Sequence, residues 1–210
     1  MGLSMQILAQ PKPPQILQIY RERLKPQSHA AYGVVEQDIA RVCAELGFPH
    51  SYLGIEPLTG PEEVWFLNGW ESDAEQRQVA DDYTKNAPLV EALEKNGKRK
   101  ASLILEPVEV FARYRQELSS GAPWSMGLGR FLVITVTKAE RRIDGTVFET
   151  PDGTRFVLLP NQTRKDADAK ASAVGSEARV FAVRPYWSKP AKEWVAADPD
   201  FWQPKRAPKS

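Results

Sequence analysis

Cysteine is nearly absent. Cys43 is the only one in 210 residues, so no disulfide can close within the chain and no multi-thiolate metal centre can be assembled. Cys43 falls at an apolar position of a predicted helix and reads as a small buried hydrophobe rather than a nucleophile. Histidine is almost as scarce. His29 and His50 stand 21 residues apart with no carboxylate at ligand spacing, which fits no zinc or non-haem iron pattern, and no metal is expected. An excess of one charge is also missing. The 28 basic and 27 acidic residues leave a net charge of +1, which removes the main reason to expect a nucleic acid or an anionic membrane surface as partner.

Long apolar runs are lacking too. None approaches the ~18 residues needed to span a bilayer. Residues 1–14 hold no apolar core after a basic start, and Gln6 stands where the myristoylation pattern wants Ser or Thr, so a cytoplasmic, soluble protein is expected. Gly127-Leu128-Gly129 lacks the third glycine of a dinucleotide loop and does not open a helix after a strand. No Gly-x-Ser-x-Gly elbow occurs, and no cofactor is implied.

What is present is a well-stocked globular composition, 42% hydrophobic and 10% aromatic with six Trp. A strand-turn-strand-helix unit occurs twice. The first copy has Thr59-Gly60-Pro61-Glu62 as its turn and a charged helix opening at Ser72; the second has Pro151-Asp152-Gly153 and a helix opening near Thr163. Repetition of this kind predicts two similar α+β halves packed together in one chain.

Around that repeat, residues 16–24 have strand character. Ser28 is a suitable N-cap, and Tyr32, Val35, Ile39, Val42 and Leu46 then follow at helical spacing. Gly47 and Pro49 end that helix. Ser72-Asp73-Ala74-Glu75 is a capping box, and Pro88 suits the first turn of a further helix reaching about Lys100. Lys98-Arg99-Lys100 reads as the solvated end of that helix. Residues 107–118 fit either a helix or a strand, with helix the expectation. Residues 130–138 form a buried strand, 139–144 stand where the first half has its long helix, and a helix over 163–174 and a strand over 178–186 follow. The expected organisation is a flexible leader (1–14), a first half (15–120), a linker (121–129), a second half (130–203) and a frayed tail (204–210). Trp194, Phe201 and Trp202 are expected to cover sheet surface left bare by the missing helix.

The order β-α-β-β-α, with a possible closing strand, is that of a ferredoxin-like unit. Two such sheets packed face to face would enclose a space in which a ligand usually sits. With its Arg21-Glu22-Arg23-Leu24-Lys25-Pro26 segment, Tyr52-Leu53, and the run Leu58-Thr59-Gly60-Pro61-Glu62-Glu63-Val64-Trp65-Phe66-Leu67, the chain resembles the dimeric α+β barrel superfamily, in its antibiotic-biosynthesis-monooxygenase-like branch. The resemblance covers residues 16–118 well and 130–187 more weakly. It implies an α+β barrel of two degenerate ferredoxin-like halves with antiparallel sheets, either a monomeric pseudo-dimer or a homodimer. It implies a small apolar or aromatic ligand, with cofactor-free oxygenation of a quinol-like substrate as one activity. A non-catalytic ligand-binding, stress-associated or scaffold barrel is the alternative. Haem degradation in this superfamily uses a helix-borne histidine, which residues 72–100 lack.

Alternation along the strands sorts the side chains by face. Leu17, Ile19, Leu53, Ile55, Trp65 and Leu67 form an apolar set assigned to the covering helices. Gln18, Tyr20, Glu22, Tyr52, Glu56, Phe66, Asn68 and Trp70 form a mixed set assigned to the space between the sheets. Asn68 and Trp70 are the leading candidates. The resemblance implies that the Asn68 amide would hold an oxyanion or hydroxyl and Trp70 would stack on a ring, while a strand-end cap and a core filler are the plain alternatives. Tyr20, Tyr52, Glu56 and Arg184 complete the candidate ligand contacts. His50, an exposed ring on a plain reading, is a further acid-base candidate.

Overall fold

The computed structural model describes residues 12–120, 124 and 126–203. Most of the expected leader, the centre of the expected linker and the whole of 204–210 lie outside the described residues.

The strands are β1 (Ile16–Arg23), β2 (Leu53–Pro57), β3 (Glu63–Trp70), β4 (Val108–Tyr114), β5 (Phe131–Thr137), β6 (Thr146–Glu149), β7 (Arg155–Asn161) and β8 (Ala178–Val183). The α-helices are α1 (His29–Glu45), α2 (Asp73–Lys85), α3 (Ala87–Ala101), α4 (Arg164–Val174), α5 (Lys192–Ala197) and α6 (Pro199–Trp202). Local chemistry accounts for most boundaries. Ser72 Oγ accepts from the Glu75 amide at 3.1 Å while Glu75 reaches back to the Glu71 amide at 2.6 Å, so two orphan donors at the start of α2 are satisfied. Asn86 Oδ1 accepts from Leu89 N at 3.3 Å at the start of α3, and its Nδ2 donates to Leu46 O at 2.8 Å. That second bond ties the α2–α3 junction to the end of α1. Thr163 caps α4. Gly47 takes φ +70 after α1, a left-handed conformation that glycine adopts without a Cβ clash. The expected cap at Ser28 is not made through its side chain. Its carbonyl instead accepts from Tyr32 N at 2.8 Å.

Residues 107–118 correct the expectation of a helix. β4 pairs with β1 and β6, because alternating Val110, Ala112 and Tyr114 place one face of the segment toward the interior. A 3-10 turn over Gln116–Leu118 follows. The eight strands form a closed ring, β1-β3-β2-β8-β5-β7-β6-β4, in which every pairing is antiparallel. The first four strands run β4-β1-β3-β2 around it and the last four β8-β5-β7-β6. One chain therefore closes an α+β barrel.

The assignment of faces in the first half is inverted relative to the sequence reading. Leu17, Ile19, Leu53, Ile55, Trp65 and Leu67 point into the bore and pack against Leu132, Ile134, Phe156, Leu158 and Phe181 from the second half. The bore is enclosed on all sides, so it takes the purely apolar set. The mixed set lies under the helices, where helix side chains supply polar partners. The space between the two sheets is thus solid core.

Both ends of the bore are closed. At one end Trp124, Met126, Trp194, Phe201 and Trp202 pack onto the apolar cluster, and Trp202 Nε1 donates to Gly127 O at 2.7 Å. A Cβ on Gly127 would sit 2.6 Å from the Trp194 ring, so this approach requires glycine. At the other end Glu63 pairs with both Arg21 and Arg179. The tail aromatics therefore plug the bore instead of covering bare sheet. The 139–144 segment forms no helix. It is tied to the end of α4 by Arg141, which donates to Val174 O at 3.0 Å and Glu177 at 2.6 Å. Val147 and Val157 on the adjacent sheet face are nonetheless buried. α4 covers Val133 and Val180 through Ala167 and Ala171.

Truncating the bore should be costly. Phe181→Ala is expected to lower unfolding free energy by about 3–5 kcal/mol, against about 1 kcal/mol for the capping change Ser72→Ala, both measured by urea denaturation.

Candidate functional site

A cavity of about 400 Å³ lies between the outer face of β1 and β3 and the helices α1, α2 and α3. Its floor is Gln18, Tyr20, Phe66, Asn68 and Trp70, which are the outward-facing residues of two neighbouring strands in register, with Gln18 opposite Asn68 and Tyr20 opposite Phe66. α1 contributes Ile39 and Cys43, α2 contributes Gln76, Val79 and Tyr83, and α3 contributes Leu93 and Lys100. Tyr52 and Phe48 close one side. The walls carry six aromatic side chains beside aliphatic ones, with polar groups placed among them.

Four of the expected ligand contacts meet here: Tyr20, Tyr52, Asn68 and Trp70. Trp70 is held in orientation. Its Nε1 donates to Gln18 Oε1 at 3.1 Å, and Gln18 Nε2 in turn donates to Glu109 at 2.5 Å. His50 stacks on the Trp70 ring at 3.8 Å with an interplanar angle of 8°. The ring is therefore not the exposed one expected. Burial lowers its pKa and favours the neutral imidazole. His50 does not line the cavity and acts on it through Trp70. The Asn68 amide makes no hydrogen bond among the described residues. The Tyr52 hydroxyl is buried beside the Cys43 thiol without a well-formed hydrogen bond. Burial pushes Tyr52 well up and Cys43 up to about 11, so the thiol is not an activated nucleophile.

Glu56 and Arg184 do not join this group. Arg184 lies just beyond β8, its guanidinium 2.5 Å from Glu56, and Glu56 also bonds His29. Proximity of opposite charges at the start of α1 turns both side chains toward each other and away from the cavity.

The sequence reading missed a second set of residues at the cavity wall. Glu22 and Glu36 are 0% and 1% exposed. Lys100 Nζ lies 2.6 Å from Glu22 Oε1 and 3.1 Å from Glu36 Oε1, and the Tyr32 hydroxyl donates to Glu22. The ammonium also sits 5.5 Å from the Phe66 ring centre and 5.9 Å from that of Tyr20. Lys100 is thus not the solvated helix end that its neighbours Lys98 and Arg99 suggested. Glu36 and Lys100 line the cavity. Burial raises Glu36 to about 7, with Lys100 opposing the rise and Glu22 adding to it. For Lys100, burial alone would lower the pKa, but the two carboxylates outweigh it and the net shift is upward. One readable signal existed. Glu36 stands one turn after Tyr32 and beside Val35 on the buried face of α1, where an unpaired carboxylate is costly. Among the described residues, no group of three or more His, Cys, Asp or Glu side chains is placed to hold a metal ion.

Glu36 binds its proton more tightly in the folded chain than its ordinary value of 4.5 allows. Its contribution to stability therefore falls as pH rises from about 4.5 to about 7. Glu36→Gln should remove that fall and raise the melting temperature at pH 8 relative to the parent, with little change near pH 5. Lys100→Met leaves two buried carboxylates without their cation and should cost about 3–5 kcal/mol. Thermal melts across pH check both.

No protein-family model matches the sequence, and no curated protein matches it. The structure is similar to that of a candidate monooxygenase from Fusobacterium nucleatum subsp. nucleatum, at 9% identity and a TM-score of 0.49, over 83% of this chain and 93% of that one. It is also similar to a candidate monooxygenase from Lactobacillus acidophilus, at 7% identity and a TM-score of 0.45, over 80% and 93%. A mutant chlorite dismutase from Candidatus Nitrospira defluvii, solved with cyanide, aligns at 6% identity and a TM-score of 0.45, over 84% and 93%. Likeness at this level carries no inference about residues or chemistry.

Proposed function

We propose that this chain binds a flat aromatic small molecule bearing a phenolic or quinol-like hydroxyl, in the cavity between the β1–β3 face and α1–α3. The observation that carries this reading is an aromatic-walled volume of about 400 Å³ into which an unsatisfied Asn68 amide projects beside a fixed Trp70 ring. Such a volume suits a small organic ligand. Trp70 offers a face for stacking, and Asn68 offers both a donor and an acceptor for a hydroxyl. The family resemblance of residues 16–118 supports the same roles. We further read 15–120 and 130–203 as two fused ferredoxin-like halves joined through 121–129, a reading supported by the repeated order of strands around the ring.

A second reading is cofactor-free monooxygenation of that ligand, and the ionisable pair Glu36–Lys100 at the cavity wall favours it. Loss of the hydroxyl proton would make the ring electron-rich toward O2. A ring CH2 would then lose two hydrogens and gain one oxygen as C=O, and the other oxygen would leave as water. The substrate supplies all the electrons, so the balance needs no further reductant. Catalysis of this kind rests on positioning and on stabilising the oxyanion.

Native mass spectrometry of the protein purified from cells should reveal one small-molecule adduct per chain. Asn68→Ala should weaken binding of a 2-naphthol probe by about tenfold, the loss of one buried hydrogen bond, while the melting temperature stays nearly unchanged. No adduct and no naphthol binding would overturn the reading. Uptake of O2 with a hydroxyanthrone, abolished by Asn68→Ala, is the expected result for the second reading; uptake no faster than in buffer removes it and leaves the first.

A further inference from the structure

The Glu22–Glu36–Lys100 cluster meets the cavity unequally. Glu22 receives the Tyr32 hydroxyl and the nearer approach of Lys100, and it does not line the cavity. Glu36 does line it and is 1% exposed, with Lys100 at 3.1 Å from its Oε1 and the Tyr32 hydroxyl beside its carboxylate. Two carboxylates face one ammonium. The set is therefore one positive charge or one proton short of neutrality, and Glu36 is the carboxylate of the two that lines the cavity. A cationic ligand would be repelled by Lys100, whose ammonium already occupies the Tyr20 and Phe66 faces. A neutral hydroxyl meets neither objection.

We propose that Glu36 is the acceptor for the ligand's hydroxyl proton and that Lys100 is the cation that steadies the charge developing on that oxygen. The inference rests on the aromatic-ligand reading above and adds the residues that would read the hydroxyl. The O–H bond breaks or lengthens toward Glu36, the electron pair stays on oxygen, and the proton passes to the carboxylate. The total charge of ligand and cluster is unchanged. Burial moves Glu36 upward to about 7, which narrows its gap to a phenol, ordinarily near ~10, and makes it a better-matched acceptor than an ordinary carboxylate. The titratable groups around Glu36 are Glu22 and Tyr20 on β1, Tyr32 and Cys43 on α1, Tyr52 just before β2 and Lys100 on α3. Phenolic and thiol groups among them are held upward by burial, while Glu36 is raised to about 7.

The test compares 2-naphthol with 2-methoxynaphthalene, which has the same ring but no hydroxyl proton, using quenching of tryptophan fluorescence. In the parent protein at pH 8, naphthol should bind about tenfold more tightly than the ether. That ratio should grow as pH is raised from about 5.5 to 8, because Glu36 must be ionised to accept the proton. Glu36→Met should lower the ratio toward one. A parent ratio near one, or a ratio flat with pH, overturns the assignment even where the variant fails to fold. Equal binding of both compounds leaves the cavity reading standing and removes only this one. Binding of neither removes both.

Discussion

Closure of the ring is the constraint on which the rest of the structure depends. The pairings of β2 with β8 and of β4 with β6 join the two strand quartets, leaving no free sheet edge in the ring. Once closed, the bore has no contact with water along its walls, and only apolar side chains can fill it without a desolvation penalty. The tail at one end and the Arg21–Glu63–Arg179 set at the other complete the seal. Away from that end, the polar side chains of β1 and β3 therefore point outward. In the first half, outward means under three helices.

That displacement makes a site. Between a sheet and a helical layer, the polar groups are partly dry and partly reachable, so their partners must come from the helices. Tyr32 and Glu36 arrive from α1 and Lys100 from the last turn of α3. Interactions within this layer are stronger than at the surface because little water screens them. The second half has no equivalent. α4 lies on Val133 and Val180 through small alanines, and the 139–144 segment offers no helix to stand away from the sheet. The two halves share a strand order, but one is the housing and the other is the closure.

Much of this was legible from the residues alone. The repeat, the helix starts at Ser72 and near Thr163, and the alternation along β1–β3 could be read because each rests on local geometry. The direction of each face could not. Alternation divides side chains into two sets but does not say which set meets water, helix or sheet. That choice is settled by closure, a property of pairings between residues far apart, such as Ile55 with Val183. For the same reason Asn68 and Trp70 were recognised as neighbours but placed on the wrong side of the sheet. Lys100 was taken for a solvated helix end because its partners, Glu22 and Glu36, lie 78 and 64 positions earlier in the chain. The ambiguity of 107–118 had the same origin. Val108, Phe111 and Leu118 suit a helix locally, and only β1 and β6 on either side make a strand of the segment.

The roof and the floor of the cavity are built to different standards. β1 and β3 belong to the closed ring, whereas α2 buries none of its thirteen residues and rests on the site through half-buried Val79 and Tyr83. A segment with so little apolar anchorage opens at a lower free-energy cost than the barrel unfolds. The amides of α2 are therefore expected to exchange with solvent through local excursions, and those of β1 and β3 only on global unfolding. Access to the aromatic floor is then governed by a helix whose motion leaves the bore intact.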